Sequence, residues 1–189
     1  MKILVILGSI RPGRNGEKVY EWLKNELESL EDVEYEFIDL KDWDLPLEIG
    51  ANSPKEAKYD NAVVKKWSTK VAPADGFIIV TPEYNHGYSA VLKNALDNLY
   101  NEWNNKPVAF VSYGGLVGGS RAVEQLRLVA IELQMAPIRE AVYIPLIWSA
   151  FDEGNKPKEE INLTEGVKKL IDQLLWWTKA LKDARDSEI

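Results

Sequence analysis

Polar groups follow an apolar run in the segment TPEYNHGYSAVLKNALD, which covers residues 81–97. Residues 76–80 before it are GFIIV, which is typical of a strand buried on both faces. Pro82, Glu83, Tyr84 and Asn85 then precede His86, the only histidine of the chain. A carboxylate, a phenol, an amide and an imidazole can bind a polar ligand or transfer protons. The segment is therefore either a catalytic loop or a ligand-lining turn.

A second group of such residues, GSIRPGRNG at 8–16, separates the apolar run 2–7 from a helical pattern. Free N–H groups at the start of a helix bind anions, and Ser9 and Arg11 can add charge-assisted hydrogen bonds to a phosphate. The segment is not a Walker loop, because Arg14 and Asn15 stand where lysine and serine or threonine are required. A glycine-rich turn with solvated arginines is the alternative, but the flanking strand and helix favour a phosphate site.

The third group is the segment SYGGLVGGSR at residues 112–121. Its four glycines allow the backbone to approach a flat ligand, and its N–H groups can bind the ligand's polar edge. The alternative is a flexible loop capped by Ser120 at the start of the next helix. Since the segment follows a buried strand, we favour ligand contact.

The composition excludes several classes of function. Without cysteine, disulfides, thiolate zinc sites and cysteine nucleophiles are absent, and one histidine cannot form a multi-histidine metal site. A metal cluster could be built from Asp39, Asp42 and Asp44. We interpret these residues instead as a solvated acidic loop. The net charge of −7, without a basic run longer than two residues, argues against a nucleic-acid partner. No apolar run approaches the ~20 residues of a membrane helix, and no secretory pattern is visible, so we expect a cytoplasmic protein.

Strand and helix patterns alternate five times along the 189 residues, which predicts a single domain, 1–189, with a parallel α/β sheet and helices on both faces. The predicted strands cover residues 2–7, 33–40, 76–80, 108–112 and 141–144. The predicted helices cover residues 17–30, 61–71, 89–100, 122–133 and 167–181. In a sheet of order 2-1-3-4-5 the first, third and fourth strands are adjacent, so the three loops above meet at one crevice.

These motifs carry a family resemblance. Gly8-Ser9-x-Arg11, Thr81-Pro-Glu-Tyr-Asn85 and Ser112-Tyr-Gly-Gly115, in this order and spacing, resemble the NADPH-dependent FMN reductase-like family of flavodoxin-fold proteins. The resemblance implies a three-layer flavodoxin-like fold, an FMN cofactor and NAD(P)H as co-substrate. It covers residues 2–144.

The resemblance also implies a role for each loop. The first loop would hold the FMN phosphate, through Ser9, Arg11, Gly13, Arg14, Asn15 and Gly16. The second would line the isoalloxazine, through Pro82, Glu83, Tyr84 and Asn85. The third would wrap the pyrimidine edge, through Ser112, Tyr113, Gly114 and Gly115. Many members have Ser-x-Asn late in the first loop, where this chain has Arg14-Asn15-Gly16, so we expect Arg11 rather than Arg14 to carry the charge toward the phosphate.

The function that the resemblance implies is an FMN-dependent NAD(P)H oxidoreductase. Hydride would pass from nicotinamide to flavin N5 and then, in a ping-pong reaction, to a quinone, free flavin or similar small-molecule acceptor. No catalytic side chain is required, because solvent can supply the proton, and we place His86 as a loop residue near the site. The alternative is an FMN-binding electron carrier or redox-sensing module, but such carriers usually have phosphate loops rich in Ser/Thr, unlike the loop with Arg11.

The resemblance further implies a homodimer or homotetramer, with parts of residues 39–60 and 145–158 near the partner's flavin. The adjacent Trp176 and Trp177 in the last predicted helix cannot both face one core. We therefore expect at least one of them to be exposed or to lie at a subunit contact.

Overall fold

The computed structural model describes residues 1–28 and 33–187 and has one sheet of five parallel strands. Its order, β2-β1-β3-β4-β5, confirms the order expected from the sequence. The strands are β1 Lys2–Leu7, β2 Glu34–Asp39, β3 Gly76–Pro82, β4 Pro107–Tyr113 and β5 Ala136–Ile144. Every residue of β3 and β4 is buried, because helices cover both faces of the sheet centre.

In the described part of the chain, five α-helices cover the two faces of the sheet and give the three layers that the resemblance implied. They are α1 Gly16–Glu28, α2 Ala62–Val71, α3 Ala90–Asp97, α4 Ser120–Glu132 and α5 Leu163–Asp186. The apolar stripes of α1 and α5 pack on one face, and those of α2, α3 and α4 pack on the other. The helix predicted over 17–30 is α1, and residues 29 and 30 of that prediction lie outside the described residues.

The fifth strand begins earlier than the predicted 141–144, because its pairing with β4 continues back to Ala136. This pairing is irregular between Val108 and Phe110. Arg127 of α4 donates from its guanidinium to the carbonyls of Ile138 and Arg139. The side chain of Gln173 in α5 accepts from the backbone N–H of Glu140, 2.8 Å away. These side chains satisfy backbone groups that a regular ladder would have paired, and they limit pairing with another strand at this sheet edge.

The end of the sheet opposite the three loops is held together by the carboxylate of Asp75. It accepts from the backbone N–H of Lys2 at 2.9 Å and from Nζ of Lys182 at 2.8 Å, and Arg185 lies 3.3 Å from Oδ1. Burial would raise the pKa of Asp75, but the hydrogen bonds from Lys182 and Lys2 lower it below its usual value. The carboxylate thus links the start of β1 to the end of α5.

Replacing Asp75 with asparagine is expected to lower the free energy of unfolding by about 1–3 kcal/mol near neutral pH, because charged hydrogen bonds are lost. Since the folded pKa lies below the unfolded value of about 3.9, the stabilisation is present above that value and disappears as the pH falls through the folded pKa. Urea denaturation from neutral to acidic pH measures the difference, which should shrink below about pH 4. As a control, Asp183→Asn removes an exposed carboxylate paired only with Lys179 among the described residues and should change little. A difference between Asp75→Asn and the original protein that does not depend on pH would contradict this assignment.

Candidate functional site

The loops after β1, β3 and β4 are joined to one another by hydrogen bonds. The hydroxyl of Ser89, which caps α3, donates to the carbonyl of Gly8. The hydroxyls of Ser9 and Tyr113 lie 3.0 Å apart, and the backbone N–H of Glu83 donates to the carbonyl of Tyr113 at 3.1 Å. The three loops therefore form one composite surface at the carboxyl ends of adjacent strands, as the strand order predicts.

The segment after β3 contains a tight turn. The backbone N–H of Tyr84 donates to Gly87 at 2.8 Å, and the N–H of Gly87 donates back at 2.9 Å. The two central residues, Asn85 and His86, both have positive φ angles, 50° and 69°. Two successive positive φ angles are the requirement of a type I′ turn. The bend thus depends on Asn85 and His86, and not on Gly87.

A cavity of about 300 Å³ lies where the three loops meet. Most of the predicted site residues contribute to its wall: Arg11, Gly13, Arg14, Asn15, Pro82, Glu83, Tyr84, Tyr113, Gly114 and Gly115. This volume is at the lower end of the range for pockets that hold small molecules. The part of the wall from the first loop is cationic, and Tyr84 gives the second loop an aromatic surface.

The remaining predicted residues support the wall from behind or beside it. Ser9 and Ser112 are fully buried, and the hydroxyl of Ser112 donates to the carbonyl of Gly118 at 2.8 Å. Gly16 is buried so close to the Tyr113 hydroxyl that any side chain there would collide with it. Asn85 is exposed at the tip of its turn. These four residues shape the loops and do not line the cavity.

The two arginines of the first loop differ in their partners. The side chain of Arg14 is only 2% exposed, and it forms a two-pronged pair with Asp39 at the end of β2 and an ion pair with Glu17. Burial would lower the pKa of Arg14, but these two carboxylates hold it above its usual value. Arg11 is exposed, and its guanidinium has no partner among residues 1–28 and 33–187. Arg11 is thus the cation of this loop that has no carboxylate partner among the described residues.

The first loop also offers backbone donors. Within the described chain, the N–H groups of Asn15, Gly16 and Glu17 at the start of α1 donate to no protein acceptor. They add the partial positive charge of a helix N-terminus to the charge of Arg11. This combination is suited to a phosphate group.

Arg121 is a polar contact of the site that the sequence analysis did not select. Its Nε donates to Oε1 of Glu83 at 2.8 Å, and its backbone N–H donates to Oε2 at 3.1 Å. Its Nη1 lies 2.7 Å from Nε2 of His86. Glu83, predicted as a flavin-lining residue, therefore also fixes the start of α4, while His86 is exposed and does not line the cavity.

Ser120 does not cap α4 as the alternative for the third loop supposed. Gly119 occupies the cap position with φ 88° and gives no side-chain hydrogen bond, so Ser120 is the first helical residue. The loop is held instead by Ser112 and by Gly114, whose N–H donates to Ile144 at 3.2 Å. These hydrogen bonds argue against the flexible loop that the alternative supposed.

Two further wall residues, Ile147 and Trp148, come from the turn after β5. The resemblance implied that parts of the segment 145–158 lie near the partner's flavin; in this chain, Ile147 and Trp148 of that segment line the cavity. No motif surrounds Trp148 in the sequence. The only signal for a role was that an aromatic residue lies in a predicted loop. Asp39, in the other segment assigned to the partner's site, supports the first loop through Arg14.

A separate cavity of about 240 Å³ lies between the segment 46–61 and Asn98 and shares no residue with the site. In the described parts of the chain, no group of three or more histidine, cysteine, aspartate or glutamate side chains is arranged to hold a metal ion. Across the same residues, no helix is both long and apolar enough to cross a membrane.

The sequence is similar to known proteins. The family model described as NADPH-dependent FMN reductase matches residues 1–149. An NAD(P)H-dependent FMN reductase of Schizosaccharomyces pombe is 43% identical over 148 residues, which cover 76% of this chain and 74% of the relative. An NADPH:quinone oxidoreductase of Arabidopsis thaliana is 34% identical over 145 residues, which cover 75% of this chain and 70% of the relative.

A solved structure supports the flavodoxin-like fold independently. FerB, a flavoenzyme NAD(P)H:(acceptor) oxidoreductase of Paracoccus denitrificans, superposes with a TM-score of 0.70. The alignment covers 96% of this chain and 97% of FerB at 23% identity. At this identity the likeness concerns the fold alone.

Proposed function

This chain belongs to the NADPH-dependent FMN reductase family, and we propose that, as an FMN-dependent NAD(P)H oxidoreductase, it reduces a quinone, free flavin or similar acceptor in a ping-pong reaction. The net reaction with a quinone converts NAD(P)H, one proton and the quinone into NAD(P)⁺ and a hydroquinone. The cavity with a cationic and an aromatic wall is the observation that carries the proposal. When bound, FMN supplies the two-electron chemistry that the side chains of the site cannot supply.

The residues present fit FMN. Among the described residues, the guanidinium of Arg11 and the N–H groups at the start of α1 have no protein partner, and together they match a phosphate monoester. Gly115 has no atom within 4 Å of the position where a side chain would begin, so the backbone there is open to a flat ring. Tyr84 and Trp148 offer aromatic faces in the same wall.

In this proposal Arg11 and the backbone of residues 13–16 hold the phosphate. Arg14 organises the loop rather than binding directly, since Asp39 and Glu17 occupy its donors. The hydrogen bond between Ser9 and Tyr113 supports the first loop. Burial raises the pKa of Tyr113, so its hydroxyl stays protonated and keeps its hydrogen bond with Ser9 near neutral pH.

The remaining wall residues orient the flat part of the ligand. Pro82 and Gly114 present backbone to the cavity, and the Glu83 carboxylate forms an ion pair with Arg121. No side chain of the cavity wall combines a nucleophile with an adjacent base, which is consistent with a proton supplied by solvent. In the ping-pong order, nicotinamide leaves before the acceptor binds, so one open mouth serves both substrates.

We also propose that the protein acts as a homodimer or homotetramer. Leu128 and Ile131 of α4 expose large apolar side chains to solvent, which is typical of a subunit contact. Trp176 and Trp177 are both exposed as well and contact each other edge to face. From the sequence we expected at least one of these two tryptophans to be exposed or to lie at a subunit contact.

The FMN-loaded protein is expected to lose its yellow absorption rapidly when NADPH or NADH is added without oxygen, and to regain it when a quinone follows. Stopped-flow absorbance measures the reduction and the reoxidation of the flavin. The control is apoprotein without FMN. Parallel lines in double-reciprocal plots would support the ping-pong order. Failure of both nicotinamide nucleotides to bleach the flavin would contradict the proposal and favour an electron carrier.

A further inference from the structure

Trp148 is an exposed tryptophan held at the cavity mouth. Its side chain is 67% exposed, although it lies between Ile147 and Ala150, which are both buried. Exposing so much aromatic surface forgoes the stabilisation that burial of a large apolar side chain gives. Because the indole lines the cavity, its exposure coincides with the place where a ligand enters.

The backbone that carries Trp148 is firmly tied to the third loop. The N–H of Leu146 donates to the carbonyl of Gly115 at 2.9 Å, and the N–H of Ile147 donates to Gly114 at 3.1 Å. Leu146 itself has φ 45°, a left-handed conformation that a branched side chain rarely adopts. Such backbone persists only where its surroundings impose it, and it is enriched at ligand sites. The turn thus presents the indole from a fixed position.

The cavity is too small for two flat ligands at once. Its volume of about 300 Å³ is at the lower end of the range for a single bound small molecule. A flavin that fills it leaves a second aromatic molecule to bind at the mouth. Trp148 is the most exposed aromatic side chain of the wall, so it is placed to cover such a molecule.

From these observations we propose that Trp148 is a specificity-determining residue that forms the acceptor subsite and selects flat aromatic acceptors, such as quinones, by stacking. The inference rests on the proposed function, since it assigns the second substrate of the same site. Aromatic pairs prefer offset or edge-to-face contact and stabilise a complex beyond the gain from the buried area alone. A small inorganic acceptor without an aromatic ring gains nothing from this contact.

The test uses FMN-loaded protein and the variants Trp148→Ala and Trp148→Phe, with Trp176→Ala as the matched control. Trp176 is 66% exposed and lies on α5, outside the cavity wall. With oxidised protein and no nicotinamide nucleotide, binding of a naphthoquinone is followed by quenching of tryptophan fluorescence and by the change in flavin absorbance. Steady-state assays then compare the naphthoquinone with ferricyanide.

Trp148→Ala is expected to weaken naphthoquinone binding and raise its KM about tenfold. The KM for ferricyanide should stay unchanged, while Trp148→Phe should recover most of the quinone binding. Equal effects on both acceptors, or no effect on quinone binding, would overturn the inference. A change of oligomeric state with unchanged quinone binding would overturn it too and assign Trp148 to a subunit contact. Failure of the unmodified protein to bleach would instead refute the proposed function.

Discussion

Replacing Arg11 with alanine is expected to weaken FMN binding by about 1.5–3 kcal/mol, which corresponds to a Kd roughly 10- to 150-fold higher. The reason is that Arg11 is the cation of the first loop without a carboxylate partner in the described chain, whereas Arg14 is paired with Asp39 and Glu17. A phosphate would therefore meet the Arg11 guanidinium without displacing an existing ion pair. Titration of apoprotein with FMN, followed by quenching of flavin fluorescence, measures the change.

Two variants make the Arg11 experiment specific. Arg139→Ala removes the same charge from an 87% exposed side chain on β5, outside the cavity wall, and should leave the Kd unchanged at moderate salt. Arg11→Lys keeps the charge but loses the planar fork, so an intermediate Kd is expected. Full FMN affinity in Arg11→Ala would place the phosphate elsewhere. A loss as large in Arg139→Ala would mean that only net charge matters.

The fold was predictable because its signals are local. Continuous apolar runs marked β1, β3 and β4, and the helical spacing of apolar residues marked the helices between them. The start of β5 was missed, because Pro137 and the charged pair Arg139-Glu140 interrupt any strand pattern. Those residues are tolerated because β5 is an edge strand with irregular pairing, whose backbone groups Arg127 and Gln173 satisfy.

The position of the cavity was predictable where it depends on loops that follow neighbouring strands. The three glycine-rich or polar loops are close together because their strands are neighbours in the sheet order, which the resemblance to flavodoxin-fold proteins implied. Side-chain pairing was not predictable in the same way. Nothing in the local sequence indicates that Arg14 reaches Asp39, 25 residues away, or that Arg121 holds Glu83 across two loops. Trp148 was missed for the same reason, since a turn without a motif brings it to the cavity.

Replacing Gly119 with alanine is expected to lower the free energy of unfolding by about 2–4 kcal/mol, because two unfavourable effects combine. The residue has φ 88°, where a side chain is strained. The added methyl group would also lie 2.8 Å from Cβ of Ser112 and 3.0 Å from the backbone nitrogen of Tyr113. Thermal denaturation of the apoprotein should show a Tm lower by roughly 4–16 °C.

Replacing Gly115 with alanine tests whether the third loop contacts a ligand, without the strain that Gly119→Ala introduces. Its φ lies outside the left-handed region and no atom is within 4 Å of an added methyl group, so Gly115→Ala should leave the free energy of unfolding within about 1 kcal/mol of the original. Gly115 lines the cavity, however, so the same methyl group should weaken FMN binding. The two substitutions thus predict opposite outcomes: Gly119→Ala mainly destabilises the apoprotein, and Gly115→Ala mainly lowers FMN affinity. Unchanged affinity in Gly115→Ala would show that the flat part of the ligand does not lie against this loop, whereas normal stability in Gly119→Ala would mean that the loop has another conformation.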